Sequence, residues 1–245
     1  MKLSILTTNT IHHSYFVQEA QKSDLEVSVI IESQNSIKNS GLLSRSFETE
    51  KKIFELKRDD YESQRWFRGK KIGLNNFPNV YEVDEVNSIM AIEKLKEINP
   101  ELILVFGTRL IKQEMISYFK NKIFNLHGGD PEKYRGLDSH YWSIYHKDFE
   151  SLVTTLHRVT PILDNGEIVL QRKIKLWPNM KLYQFRASNT ELCVELFFSM
   201  LNHYKINRSL VGRSQNTKGR YYSLMPESLK QDVEVKFENY INKIF

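Results

Sequence analysis

The run Ile123-Phe-Asn-Leu-His-Gly-Gly-Asp-Pro-Glu-Lys-Tyr-Arg-Gly136 sets a carboxamide and an imidazole two residues apart where an apolar segment ends. Side chains of an extended strand alternate between its faces, so Asn125 and His127 point the same way. Gly128 and Gly129 then let the main chain pass close to a ligand. A carboxamide N–H can hold an oxyanion and an imidazole titrates near neutrality, so the pair suits attack on a carbonyl-like carbon. A helix-capping asparagine beside an unrelated loop histidine is the alternative, and these two residues alone leave it open. Further along, Val153-Thr-Thr-Leu-His157 leads through Val159 to Leu163-Asp-Asn-Gly166, a strand entering a tight turn with Asp164 at its tip. An aspartate there is ordinarily a turn former.

The elements that position these residues read as β-α-β units. Lys2 to Thr8 and Leu25 to Ile31 have strand character and flank a helix over Ile11 to Gln21, so a right-handed crossover in a parallel sheet is expected. Val80 to Val83, a helix over Ser88 to Ile98 stopped by Pro100, a fully buried strand over Leu102 to Phe106, a short helix from Ile111 and a strand over Ile123 to Leu126 continue the alternation. Beyond residue 150 two longer strands, Ser151 to Val159 and Glu167 to Ile174, have no helix between them, which predicts antiparallel or mixed pairing. Cys193, Leu196, Phe197, Met200, Leu201 and Tyr204 fall on one stripe of a helix of about 25 residues beginning at Asn179. The expected fold is α/β: a Rossmann-like, mostly parallel sheet with helices on both faces over residues 1–204. A small C-terminal accessory region, a hairpin plus helix, is expected over 205–245. Open sheets of this kind bind ligands beyond the carboxyl ends of their strands, where Asn125 and His127 fall.

Composition narrows the setting. The chain has 245 residues, 40% apolar and 27% charged, and its 14 Phe, 12 Tyr and 3 Trp exclude a disordered chain. A single cysteine, Cys193, excludes an intramolecular disulfide and a cysteine-built zinc site, so no metal and a reducing, cytoplasmic setting are expected; on the helical stripe Cys193 reads as core packing rather than a nucleophile. Every apolar run falls short of the ~20 residues of a membrane span, and the start is too short and too polar for a signal peptide, so a soluble protein without a membrane partner is expected. The formal charge of +5 suits a phosphorylated ligand or nucleic acid. Residues 33–76 carry ten Lys/Arg against six Asp/Glu, in a polar start followed by a helix with Phe47, Ile53, Phe54 and Tyr61. That insertion either covers a phosphate-bearing ligand or is a solvated helix with an aromatic inner edge.

The motifs N-x-H, P-x-x-Y-R-G, W-x-I at Trp142 to Ile144, H-x-V at His157 to Val159, D-x-G and I-V-L-Q at Ile168 to Gln171 follow in one order at compact spacing. That order resembles the folate-dependent formyltransferase family, which includes glycinamide ribonucleotide, methionyl-tRNA and sugar-nucleotide N-formyltransferases, most strongly over Glu101 to Gln171. The resemblance implies that Asn125, His127 and Asp164 form a catalytic trio: Asn125 donating to the oxyanion, His127 stabilising it or moving the amine proton, Asp164 orienting His127 or a bridging water. It implies 10-formyltetrahydrofolate as formyl donor. Phe106, Gly107, Thr108, Arg109, Leu110 and Ile111 would form the strand end and loop that cradle the pterin, with Leu163 beside them. Arg135, in the loop after the histidine, serves a structural pair or the acceptor.

Three branches of that family differ in acceptor. The turn after the first strand, Thr7 to Ser14, has no glycine with which to cradle a phosphate, and only about 40 residues follow the long helix, too few for a carboxyl-terminal barrel. The resemblance therefore implies the sugar-nucleotide branch, acting on an NDP-linked deoxyaminosugar with its amine on the third or fourth ring carbon, in surface polysaccharide synthesis. A homodimer is expected from that branch. His12, His13, Tyr15, Tyr134, Arg135, Asp138, His140 and Trp142 are the expected acceptor-side residues. Methionyl-tRNA or glycinamide ribonucleotide as acceptor is the alternative. A rival of another class is a non-catalytic nucleic-acid-binding module, using Arg65-Trp-Phe-Arg68 and Arg220-Tyr-Tyr222. A scaffold without catalysis would have no reason to hold Asn125, His127 and Asp164 together, so a nucleic-acid partner is not expected.

Overall fold

A computed structural model describes residues 1–33 and 45–245. The polar start of the basic insertion, residues 34–44, and the Phe47 side chain lie outside the described residues. In chain order the elements are β1 (Lys2–Thr7), α1 (Ile11–Ala20), β2 (Glu26–Glu32), α2 (Arg45–Phe67), β3 (Val80–Val83), α3 (Ile89–Ile98), β4 (Leu102–Phe106), α4 (Gln113–Tyr118) and β5 (Ile123–His127). There follow β6 (Tyr134–Gly136), α5 (Ser139–Tyr145), β7 (Val153–Arg158), β8 (Ile168–Lys173), α6 (Leu182–Asn207), β9 (Arg220–Tyr222) and α7 (Glu227–Ile244).

Seven strands form one sheet in the order β3-β2-β1-β4-β5-β7-β8. The first five are parallel, while β7 runs antiparallel to β5 and β8 to β7, as the missing helix between the last two predicts. Strands buried on both faces read as continuous apolar runs, and every residue of β4 is buried. On one face Leu3, Ile5, Phe124 and Leu126 pack with Phe16 of α1 and Phe197 of α6; on the other Leu6, Ile30, Ile103 and Val105 pack with Ile92 of α3 and Met115 of α4. The chain leaves β1 toward β2 and β3, then returns to place β4 on the other side. The resulting crevice lies beyond the carboxyl ends of β1 and β4.

Two elements differ from expectation. Helix α6 begins at Leu182 rather than Asn179, because Asn179 sits in the left-handed region (φ 61°) and the Lys181 N–H donates to Gln184 Oε1 at 2.8 Å, starting the helix there. The tail forms no hairpin: β9 pairs in parallel with β6, in the loop after His127. Helix α7 buries Val233, Phe237 and Ile241, one stripe at helical spacing, in the same core as α6. Cys193 lies in that core, where burial pushes its thiol pKa up. No helix among the described residues is long and apolar enough to cross a membrane.

The outer layer is held by charge. Arg186 of α6 pairs with Glu62 and Asp59 of α2 (2.6 and 2.8 Å), and Arg65 binds both oxygens of Glu191, which also accepts from Trp66 Nε1 at 3.0 Å. Of the residues expected on the inner edge of α2, Phe54 packs on the core and Tyr61 meets Tyr183 edge-on, while Ile53 is exposed.

Candidate active site

Strand β5 places Asn125 and His127 on one face, and its antiparallel pairing sets His157 opposite Asn125 and Thr155 opposite His127. The chain leaving β7 folds back over that face, so Asp164 meets both imidazoles: Oδ2 lies 3.6 Å from His127 Nδ1 and Oδ1 lies 3.4 Å from His157 Nε2. The Gly136 N–H donates to Oδ2 at 2.8 Å. Asp164 itself is in the left-handed region (φ 49°), a conformation that aspartate tolerates better than most residues and that aims its side chain inward. Burial favours the neutral acid, but the imidazoles of His127 and His157 and the Gly136 amide outweigh it and hold the carboxyl well below the usual carboxylate range.

Ring orientation follows from carbonyl partners, which can only accept. His127 Nε2–H donates to the Tyr134 carbonyl at 3.0 Å, leaving Nδ1 to face Asp164. His157 Nδ1–H donates to the Arg158 carbonyl at 2.9 Å, and its Nε2 lies 3.2 Å from Asn125 Nδ2. Asn125 Nδ2 also lies 3.5 Å from Asp164 Oδ1. An amide donor, a proton-exchanging nitrogen and an ionised carboxylate therefore converge on one face, the set required to stabilise oxygen charge and move a proton at a carbonyl-like carbon.

Val105 pairs with Asn125, so the loop leaving Phe106 emerges beside the trio. Gly107 has φ 80°, and a Cβ there would lie 2.5 Å from His13 Nε2, so both conformation and space require glycine. Arg109 ties the loop down: its N–H donates to Glu32 Oε2 at 2.9 Å, its guanidinium lies 3.1 Å from Glu32 Oε1, and Nη2 donates to the Asp84 carbonyl. Glu32 also accepts from the Val86 N–H and is only 1% exposed. Ile111 is buried, Thr108 and Leu163 are half-buried, and Leu110 and Ile162, on the loops that follow β4 and β7, are apolar side chains 48% and 49% exposed.

The family model of the formyl transferases matches residues 1–201. The chain belongs to the formyl transferase family. The bifunctional polymyxin resistance protein ArnA of Wigglesworthia glossinidia brevipalpis is 31% identical over 121 residues, which are 48% of this chain and only 18% of that protein's length. The formyltransferase PseJ from Anoxybacillus kamchatkensis, solved in complex with UDP-4,6-dideoxy-4-formamido-L-AltNAc and tetrahydrofolate, has a TM-score of 0.53 at 18% identity over 94% of this chain and 89% of its own. Glycinamide ribonucleotide transformylase 1 from Symbiobacterium toebii has a TM-score of 0.58 at 16% identity over 89% of this chain and 94% of its own. At such identities the likeness is one of fold.

In this family member a cavity of about 1010 Å³ has His127 in its lining. Gly136, Asp138, His140, Arg186 and Asn189 also line it, with Lys51 and Arg58 of α2 and Lys230 of α7, interspersed with Glu50, Glu55 and Glu234. Of the acceptor-side residues expected from sequence, Asp138 and His140 line this cavity and the other six do not. Burial holds the His140 pKa down to about 4, and its Nε2–H donates to the Val153 carbonyl; burial raises the Asp138 pKa, and its Oδ2 accepts from the Met225 N–H. His13 is a neutral core histidine, its pKa lowered to about 3 by burial and the charge of Arg186, with Nδ1 2.9 Å from the Thr8 carbonyl; the His12 ring lies against it, tilted by 41°. Tyr15 stacks on Trp66, with ring centroids 4.2 Å apart. Tyr134 stacks with His146 and Tyr222, and Trp142 stacks with His146 and lies tilted against Tyr222, joining the loop after His127 to the tail. Arg135 donates to the Leu163 and Gly219 carbonyls, a structural pairing.

The sequence places His157 in a motif but assigns it no role; the antiparallel register that puts it across from Asn125 is the available signal. Arg186, Asn189 and Lys230 carry none, since their contribution depends on how three helices pack. In the Arg65-Trp-Phe-Arg68 motif Arg65 and Trp66 bind Glu191 and Phe67 is buried, while Arg68 is exposed.

Proposed function

We propose that this protein moves the formyl group of 10-formyltetrahydrofolate onto the amine of an NDP-linked deoxyaminosugar. The observation that carries the reading is the position of His127, which faces Asp164 through Nδ1 and lines the large cavity. The exposed Leu110 and Ile162, on the loops that follow β4 and β7, suit the flat ring system of a reduced folate, and Lys51, Arg58 and Lys230 in the lining of the cavity suit a diphosphate. The sugar nucleotide and tetrahydrofolate bound to PseJ support the same pair of ligands. The reading carries with it a cytoplasmic homodimer of surface polysaccharide synthesis that binds neither nucleic acid nor membrane.

The donor supplies an electrophilic formyl carbon. Asn125 Nδ2, shared at rest between His157 Nε2 and Asp164 Oδ1, turns one N–H to the formyl oxygen as its charge grows. His127 Nδ1 takes the proton that the acceptor nitrogen loses on forming its bond to carbon, and returns it to the donor nitrogen as that bond breaks. Asp164 stabilises the imidazolium in between, and the Tyr134 carbonyl fixes the ring. A panel of NDP-linked aminosugars incubated with 10-formyltetrahydrofolate and monitored by mass tests the reading: one acceptor gains a formyl group. Transfer to glycinamide ribonucleotide or methionyl-tRNA, with none across the panel, would replace the acceptor.

A further inference from the structure

The turn bearing Asp164 is gripped from outside by side chains that the catalytic trio does not include. Its Leu163 carbonyl accepts from Arg135 Nη1 at 3.0 Å, and the carbonyls of Asp164 and Gly166 both accept from Gln215 Nε2 at 2.9 Å. Carbonyls only accept, so the orientation of the Gln215 carboxamide is dictated, and its two N–H groups are divided one to each. Its Oε1 is buried and receives no donor among the described residues, so the two bonds to the turn are all that fix the amide.

Both grips trace to one segment of chain. Arg135 donates its Nε to the Gly219 carbonyl at 2.7 Å. Arg213 exchanges two main-chain hydrogen bonds with Ile168, just past the turn, and pairs with Glu132 of the catalytic loop. Glu132 also accepts from the Asn216 N–H, and the Thr217 hydroxyl donates to the Glu132 carbonyl. Strand β9 then pairs with β6, and at Gly136 (φ 96°) a Cβ would lie 2.2 Å from the Tyr222 carbonyl. Residues 213–222 thus bind the loop after His127 and the turn of Asp164 simultaneously, and they lie beyond the stretch that the family model matches.

We infer that Gln215 is a positioning residue for Asp164, and that the segment around it is the brace that holds the carboxylate against His127. Displacing a reacting group by about 1 Å can cost on the order of 100-fold in rate, so a brace on the turn acts on turnover without touching either substrate.

The test is a double-mutant cycle on Gln215→Leu and Asp164→Asn. Gln215→Leu should lower kcat about tenfold, with both KM values changed less than about twofold, and should cost nothing further in the Asp164→Asn background, because its effect passes through that carboxylate. Gln215→Glu, which turns a carboxylate oxygen on two carbonyls, should lose more than Gln215→Leu. A generally loosened fold would instead give independent losses in the double mutant or a rise in KM, and either result overturns the proposal, as does wild-type kcat in Gln215→Leu. The kinetic arm rests on the formyl-transfer reading; NMR of the imidazole nitrogens does not. In Gln215→Leu, His127 Nδ1 and His157 Nε2, which face Asp164, should shift while the exposed His203 ring stays put. Superimposable spectra would overturn the brace whatever reaction the protein performs. Should Gln215→Leu fail to fold, Gln215→Met supplies the same comparison with a longer side chain that likewise cannot donate.

Discussion

Asn125 Nδ2 lies 3.2 Å from His157 Nε2, and that nitrogen lies 3.4 Å from Asp164 Oδ1. His157 is fixed by its Nδ1–H bond to the Arg158 carbonyl, so its Nε2 and the Asp164 carboxylate both face the Asn125 amide and restrict its rotation. A free carboxamide would rotate, and the energetic benefit of an oxyanion donor depends on its being aimed before charge develops. Asn125→Ala, His127→Ala and Asp164→Ala should each lower formyl transfer at least ~100-fold with the circular dichroism spectrum retained. His157→Phe should lose about tenfold, mostly in kcat, since it removes the aim and leaves the donor in place. Near-wild-type turnover in His127→Ala would contradict the mechanism.

The buried Glu32 carboxylate is the anchor of the loop after Phe106, neutralised by Arg109 and satisfied by two main-chain amides. Arg109 is a third exposed and keeps Glu85 and the Asp84 carbonyl as partners, so losing the Glu32 charge costs its charge-assisted hydrogen bonds, about 1.5–3 kcal/mol. Glu32→Gln should therefore lower the melting temperature and weaken binding of 10-formyltetrahydrofolate by about tenfold or more, while acceptor binding changes little. Thermal-shift titration with the donor measures both effects. An unchanged donor affinity would detach the loop from the folate site.

How much of the fold and the site is legible in the sequence depends on range. The apolar run Leu102 to Phe106 and the stripe from Cys193 to Tyr204 are local signals, and β4 and α6 form where those signals lie. Asn125 and His127 share a face because strand alternation is equally local. The strand Arg220–Tyr222 escapes a reading of the sequence because three residues carry no usable alternation and their partner, β6, lies far back in the chain. His13, Tyr15, Tyr134 and Trp142 have the chemistry of ligand-binding residues, yet they pack against Phe106, Trp66 and Tyr222. Residue type alone does not distinguish a satisfied core ring from an exposed one. Gln215 leaves no trace in the sequence, since its partners are main-chain carbonyls of a distant turn.

Two buried histidines set a pH dependence of stability. His13 and His140 have pKa values lowered to about 3 and about 4, chiefly by burial. Unfolded, each binds a proton below about pH 6.5, whereas the folded state refuses it until pH falls to its own lower pKa. The unfolded state therefore holds more protons throughout that window, and stability falls as pH falls through it. Between about pH 7 and about pH 5 each group should cost on the order of 1–2 kcal/mol. The melting temperature of His13→Gln or His140→Gln should thus drop less than that of the wild type over the same interval. Parallel pH profiles for variant and wild type would mean that neither ring is neutral for the reason given.

Acceptor binding at the cationic lining of the large cavity should be sensitive to salt in a way that donor binding is not. Lys51 and Arg58 sit on α2 and Lys230 on α7, all at partly solvated positions where added ions screen them; Arg58 is 3.0 Å from Asp59 and Lys230 is 3.0 Å from Glu227. A diphosphate competes with those carboxylates for the same cations through charge-assisted bonds. Raising ionic strength from about 0.05 to about 0.5 M shortens the screening length severalfold, so acceptor KM should rise at least about threefold while donor KM stays within about 1.5-fold. Lys51→Ala with Lys230→Ala should raise acceptor KM at low salt and flatten its salt dependence, because the screened charges are then gone. Variants that raise acceptor KM but keep the full salt slope would place the diphosphate on other cations, and a salt-insensitive wild type would argue for an acceptor without phosphate.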